Sequence, residues 1–197
     1  MLSMSPQDIA RAVEVLRSGG VLAYPTEAVW GLGCDPWHRA GVQRILDLKG
    51  RDPDKGLIMV AADAEQLAPW LTSLPADQRA RVYGPSPRPT TWVVPDPEGR
   101  APRWVRGEHA GVALRISAHP LVVALCRAFG QPVISTSANP AGRPPARDQA
   151  GVERYFGAAV DYCLPGATGG EVSPSVVRDV VSGETLRGES ERDHPSP

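Results

Sequence analysis

The chain has 197 residues, of which 42% are hydrophobic and 22% charged, with a formal net charge of -1 at pH 7. That size suits one domain with a real core, and the composition is that of an ordinary globular protein. The near-zero charge excludes a strongly basic nucleic-acid arm or an acidic tail as the main activity, but leaves room for a local basic site.

Ser5-Pro6-Gln7-Asp8 opens the first predicted helix: Ser5 caps it, Pro6 fits the first helical position, and Asp8 suits the positive end of the dipole. Ile9, Ala12, Val13 and Leu16 supply its apolar stripe, and Gly19-Gly20 ends it. Val21 to Tyr24 reads as a short buried strand stopped by Pro25. A second helix runs from about His38 to Leu48, with Val42, Ile45, Leu46 and Lys49 on related faces, until Gly50 and Pro53 break it. Gly56 to Ala61 reads as a strand. Helices follow over Ala64 to Leu71 and between Pro75 and Val82, then a proline-rich loop over Tyr83 to Pro89.

Thr90 to Val94 and Val112 to Ile116 are predicted strands, and His119 to Phe129 is a helix ended by Gly130. Val133-Ile134 is a short strand running into Ser135-Thr136-Ser137, followed by a turn at Asn139 to Gly142. Asp148 to Phe156 is helical, and strands near Asp161, Ser175 to Asp179 and Thr185-Leu186 complete the body. Interleaved helices and strands give an α/β class with a mixed sheet. Residues 1–187 are expected to form a single domain, and 188–197, polar with two prolines, a disordered tail.

Cys34, Cys126 and Cys163 are too few and too scattered for a disulfide framework, and no CxxC occurs, so a reducing cytoplasm is the expected setting. His38, His109, His119 and His194 show no ligand spacing, so no protein metal site is expected. Neither a signal region nor a membrane span is evident.

Three segments have the residue types for chemistry. YPTEAVWGLGCDP, at Tyr24 to Pro36, follows a strand, and its glycines allow close backbone approach to a ligand or merely a tight turn. LKGRDPDKG, at Leu48 to Gly56, contains Lys49, Arg51 and Lys55. These cations suit a phosphate site or a solvated loop. Lys49 and Lys55 are also the only lysines among 21 Lys and Arg residues. VISTSANPAG, at Val133 to Gly142, delivers hydroxyls and an amide to a strand end. They could hold phosphate, ribose or carboxylate oxygens, or cap a turn. No GxSxG elbow surrounds the serines, which argues against a serine hydrolase.

Together with PRPTTWVVP, VALRISAHPLVVALC and GGEVSPSVVRD, these segments follow one another in the order seen in the YrdC/TsaC family, from about Ile9 to Arg187. The chain resembles the family's short, single-domain bacterial form. The family's KxR and SxN motifs correspond to Lys49-Gly50-Arg51 and Ser137-Ala138-Asn139. The resemblance implies an open α/β layer with a mixed twisted sheet and a large concave, positively lined cleft. It also implies that L-threonine, bicarbonate (or carbon dioxide) and ATP are converted to threonylcarbamoyl-adenylate and pyrophosphate. A partner threonylcarbamoyl-transferase complex would then modify tRNA, with tRNA itself a candidate partner.

On that resemblance Lys49, Arg51, Ser137 and Asn139 are the expected catalytic residues, and with Lys55 and Arg187 they bind ATP, accompanied by Mg²⁺. Thr26, Arg115, Ser135 and Ser175 are the expected threonine contacts, with Arg115 the partner of its carboxylate. The chain departs from the family pattern at Ala28, where a second threonine is common. It departs again at Val60, near a histidine of longer relatives, and at Arg88, where a small residue is usual. A rival reading is a non-catalytic RNA-binding module of the same fold. The net charge and the lack of aromatic stacking motifs weigh against it.

Overall fold

The computed structural model describes residues 5–188. Helix α1, Pro6–Arg17, begins with a reciprocal cap: the Asp8 N–H donates to Ser5 Oγ and the Ser5 N–H to Asp8 Oδ2, each at 3.2 Å. Ile9, Ala12, Val13, Val15 and Leu16 are its buried side. Strand β1, Leu22–Pro25, is followed after only four residues by β2, Trp30–Gly33, in an antiparallel hairpin. The sequence predicts turns over this stretch, because its glycines and Pro25 mask the strand. The reversal is closed by the Thr26 N–H and hydroxyl, which both donate to the Val29 carbonyl, at 3.0 and 2.7 Å.

Gly33 shows what the glycine does there. A Cβ at this position would lie 2.5 Å from the Ile134 carbonyl oxygen and 2.7 Å from the Tyr24 ring. The missing side chain makes room for Tyr24, whose hydroxyl donates to Ile134 O at 3.0 Å. This glycine serves strand packing rather than ligand approach.

Helix α2, Arg39–Lys49, is capped by His38 and ended by left-handed Gly50. A 3-10 turn at Pro53–Lys55 leads into β3, Ile58–Ala61. The helix predicted from Ala64 is reduced to α3, Ala68–Leu71. Ahead of it, side chains take the backbone donors: the Ala62 N–H bonds to Gln66 Oε1 at 2.9 Å and the Gln66 N–H to Asp63 Oδ1 at 3.3 Å. Helix α4 is Ala76–Tyr83 and β4 Thr90–Pro95. The single turn α5, Arg103–Arg106, was not predicted. Strand β5, Gly111–Ile116, and helix α6, Pro120–Phe129, follow the expected pattern. Strand β6 runs over the whole of Val133–Ser137, through the hydroxyl residues. Helix α7, Gln149–Phe156, is capped by Asp148, and β7 (Tyr162–Cys163), β8 (Val176–Asp179) and β9 (Thr185–Arg187) complete the described chain. Of the tail expected over 188–197, residues 189–197 lie outside the described residues.

The strands form one mixed sheet in the order β7-β1-β2-β6-β3-β5-β4-β8-β9. One face carries Leu32, Met59, Trp92, Leu114 and Ile134 against Val42, Ile45 and Leu46 of α2. Each such fully buried side chain contributes roughly 1.5–3 kcal/mol relative to exposure. On the other face α1 and α6 cover Leu22, Tyr24, Val60 and Val133. Past α6 that face opens, and the period-two alternation turns Ser135 and Ser137 of β6, Ile58, Ala113 and Arg115 into a cavity. Because the sheet is mixed, the strands share no common carboxyl end, and the hollow lies over a face rather than beyond the strand tips. Among the described residues, no helix is long and apolar enough to cross a membrane.

Candidate active site

The cavity has a volume of about 480 Å³. Arg51, Lys55, Arg106, Arg115 and Arg187 line it, against Glu27 as the acidic residue among the described lining. Arg51 is aimed by its own loop: Nε and Nη2 donate to the Gly56 carbonyl at 3.2 and 2.8 Å. Gly56 permits this loop to press on α5, because at its φ of +61° a Cβ would lie 2.6 Å from the Arg106 carbonyl. Burial, and then the positive charge of Arg187, pull the Arg51 pKa below its usual value. Like charges held together in one hollow favour an entering polyanion.

Ser137 and Ser135 stand on the cavity floor, with Thr26 and Ser175 in its walls. The hydroxyls of Thr26 and Ser175 already have partners: Thr26 donates to Val29 O, and Ser175 Oγ lies 2.9 Å from Thr91 Oγ1. Arg115 faces Glu27 at 3.5 Å, both side chains nearly buried. Glu27 Oε1 accepts from the Ser117 hydroxyl at 2.6 Å and the Ala118 N–H at 3.2 Å. Burial works to raise the Glu27 pKa, but the Arg115 charge and these donors outweigh it and hold the carboxyl below its ordinary value.

Lys49 and Asn139 sit elsewhere than the motif reading places them: neither lines the cavity. Lys49 is 5% exposed. Its ammonium donates to the Ser137 carbonyl, to the Asn139 carbonyl at 2.9 Å and to Asn139 Oδ1 at 3.3 Å. The Asn139 amide in turn donates to Pro140 O at 3.0 Å and Arg143 O at 2.7 Å. These two residues therefore brace the loop after β6 from behind. The helical periodicity that groups Lys49 with Val42, Ile45 and Leu46 already turns it inward. Burial, and then the neighbouring Arg51 charge, lower the Lys49 pKa to about 8.

Sequence reasoning assigned no role to Glu27, Arg106 or His109, all of which line the hollow. Glu27 lies inside the quoted PTE segment, which was its signal. Arg106 belongs to the unpredicted α5 and is 3.7 Å from buried Asp96. Of the departures, Ala28 lines the cavity with a methyl group. Val60 is fully buried beneath α6, where the Cys126 thiol donates to its carbonyl at 3.4 Å. Arg88 is outside the lining, although its neighbour Pro89 belongs to it.

The Sua5/YciO/YrdC family model, described as telomere recombination, matches residues 14–188. The threonylcarbamoyl-AMP synthase of Chromohalobacter salexigens is 58% identical over 179 residues, covering 91% of this chain and 96% of that protein. The protein of the same name from Pseudomonas aeruginosa is 54% identical over 176 residues, covering 89% and 94%. The crystal structure of P. abyssi Sua5 complexed with L-threonine superposes with a TM-score of 0.80 at 30% identity, over 90% of this chain and 52% of that one. This chain thus spans about half the length of that solved protein and nearly all of the two synthases. With a cationic hollow on the open face of its mixed sheet and a family match over residues 14–188, the chain belongs to the Sua5/YciO/YrdC family.

Proposed function

We infer that this chain makes threonylcarbamoyl-AMP from L-threonine, bicarbonate and ATP, releasing pyrophosphate. The single observation that carries the reading is that one cavity holds both a cationic group, Arg51, Lys55 and Arg187, and a neighbouring arginine with hydroxyls, Arg115, Ser135 and Ser175. The first suits a triphosphate and the second an amino acid.

The chemistry asks for positioning and charge neutralisation. The threonine amine condenses with bicarbonate to a carbamate, with loss of water. A carbamate oxygen then attacks the α-phosphorus, a new P–O bond forms, and the bond to the β-phosphate oxygen breaks as pyrophosphate leaves. Arg51, Lys55 and Arg187 take up the charge of the leaving pyrophosphate. Ser137 offers a hydroxyl to phosphate or ribose oxygens, and Arg115 holds the threonine carboxylate. Fixing the two reactants in one hollow can lower the barrier by as much as about 7–11 kcal/mol. No protein nucleophile is needed. Lys49 and Asn139 contribute by holding Ser137 at the end of β6.

The lining residues do not make a protein site for magnesium, because they offer one carboxylate, Glu27, whose Oε1 is taken by Ser117 and Ala118 and whose Oε2 faces the Arg115 charge at 3.5 Å. A Mg²⁺ ion would travel on the triphosphate, held by phosphate oxygens and water. The threonylcarbamoyl group is destined for tRNA through a partner transferase, in the cytoplasm. Cysteines that are all unpaired support that compartment.

The test is pyrophosphate release from ATP by the purified chain. Release that requires both threonine and bicarbonate supports the synthase. RNA affinity without such release favours the non-catalytic module.

A further inference from the structure

Arg51 and Lys55 reach the cavity from a loop with no core of its own. The 3-10 turn Pro53–Lys55 buries no residue. Its internal bonds, Lys55 N–H to Asp52 O at 3.3 Å and Gly56 N–H to Pro53 O at 3.2 Å, give it shape but do not attach it to the body. Attachment comes from α5 and the residues just after it. The Leu57 N–H donates to Val105 O at 2.8 Å, and the Glu108 N–H donates to Asp54 O at 3.2 Å. Gly56 is pressed on the Val105 and Arg106 carbonyls, and left-handed Gly107 on the Asp54 carbonyl. The Gly56 carbonyl in turn aims Arg51.

A four-residue turn cannot hold itself, so α5 needs anchors. On one side the Arg106 guanidinium faces buried Asp96, Nε to Oδ2 at 3.7 Å, and Nη1 donates to His109 O at 3.1 Å. On the other, Trp104 Nε1 donates to Pro36 O at 3.0 Å, ahead of α2. The Arg39 guanidinium stands 5.8 Å from the centre of the Trp104 ring. Arg106 lines the cavity and Trp104 does not. An effect of Trp104 on a bound ligand must therefore pass through α5.

We propose that Trp104 is a positioning residue for ATP: it fixes α5, and α5 fixes the loop that presents Arg51 and Lys55 to the triphosphate. The inference rests on the function proposed above and deepens it. Cations neutralise phosphate charge only at the right distance, and a displacement of about 1 Å can cost about a hundredfold in rate. The threonine end does not share this support. Arg115 and Ser135 stand in the sheet, on β5 and β6, and the Ser175 hydroxyl is bonded to Thr91 of β4. Loosening α5 therefore weakens the hold on the nucleotide and spares the amino acid.

The experiment is calorimetric binding of ATP and, separately, of L-threonine to the wild-type chain and to Trp104→Phe, which keeps an aromatic ring and loses the indole N–H. The expected result is ATP affinity lower by at least about fivefold, with the same number of ATP sites per chain and threonine affinity unchanged. A merely structural defect would remove sites and leave the affinity of the remaining ones intact, and that result overturns the proposal. So does a smaller loss of ATP affinity, or an equal loss for both ligands. If Trp104→Phe does not fold, Arg39→Ala takes its place, because it removes the charge over the ring at an exposed position. ATP affinity should then fall by at least about twofold with threonine spared, and a smaller fall overturns the proposal. Wild-type chain that binds no ATP overturns the functional reading and this proposal with it. ATP binding that is as tight in the variant as in wild type overturns this proposal alone.

Discussion

Lys49 and Asn139 are hydrogen-bonded across 90 positions of sequence, ammonium to main-chain carbonyl at 2.9 Å and ammonium to side-chain carbonyl oxygen at 3.3 Å. With the further bond to the Ser137 carbonyl, this ties the end of α2 to the end of β6. The two sequence motifs are thus one physical unit. One end of each motif faces the cavity, as Arg51 and Ser137, and the other end holds the frame.

Replacing Lys49 should therefore cost stability as well as activity. Lys49→Met leaves half-buried carbonyl oxygens without their donor, and the expected loss is about 1–3 kcal/mol. Lys49→Arg should not restore it, because a planar fork does not replace a compact ammonium among three acceptors. Urea midpoints of the three proteins check this. A Lys49→Met chain as stable as wild type would contradict the bracing role.

The same lysine gives a pH signature. Its pKa is lowered to about 8 in the folded chain against an ordinary 10.5. Between those values the unfolded chain binds more protons than the folded one, so the Lys49 contribution to stability increases as pH rises through that window. The stability difference between wild type and Lys49→Met should grow in favour of wild type from about pH 8 to about pH 10. Denaturation at both values measures it, and a difference that falls with pH would contradict the assignment.

The Arg187 charge acts unfavourably on the Arg51 guanidinium, and a triphosphate between them would relieve that repulsion. ATP at about a hundred times its dissociation constant should stabilise the wild-type chain by about 2.7 kcal/mol. Arg51→Ala and Arg187→Ala should each lose most of that gain at the same ATP concentration, while the gain with threonine persists. Each variant is compared with its own unliganded baseline, since Arg51 also holds the Gly56 carbonyl. Unchanged ATP stabilisation in both would remove the phosphate assignment.

Gly33→Ala tests the hairpin. The added methyl would meet the Ile134 carbonyl oxygen at 2.5 Å and the Tyr24 ring at 2.7 Å, both rigid. The expected cost is about 1–3 kcal/mol. Gly31→Ala should cost less, since its nearest neighbours would lie at 3.3 to 3.5 Å. Thermal denaturation of the two variants ranks them, and the reverse order would contradict the packing described.

Elements that carry their own local signals were legible in the sequence. Ser5 and Asp8 announced α1, Gly130 ended α6, and the apolar run of β3 stood out. β2 and α5 were not legible, because tertiary contacts make them. β2 carries two glycines, of which Gly33 makes room for Tyr24. The single turn α5 is held from afar, by the Trp104 indole donating to Pro36 O at 3.0 Å and by Gly107 pressed against the Asp54 carbonyl. The candidate site was legible as a set of motifs, and less so as a geometry. Lys49 and Asn139 were named with Arg51 and Ser137, yet only the fold decides which of them face the hollow. Glu27 escaped notice because its surroundings come from Ser117, 90 positions away, and from Arg115.

The most direct measurement is mass-spectrometric detection of threonylcarbamoyl-adenylate after the purified chain is mixed with ATP, Mg²⁺, L-threonine and bicarbonate. The expected result is the adenylate with an equal amount of pyrophosphate, and neither when threonine or bicarbonate is left out. A folded chain that binds ATP yet forms no adenylate under these conditions would contradict the assignment.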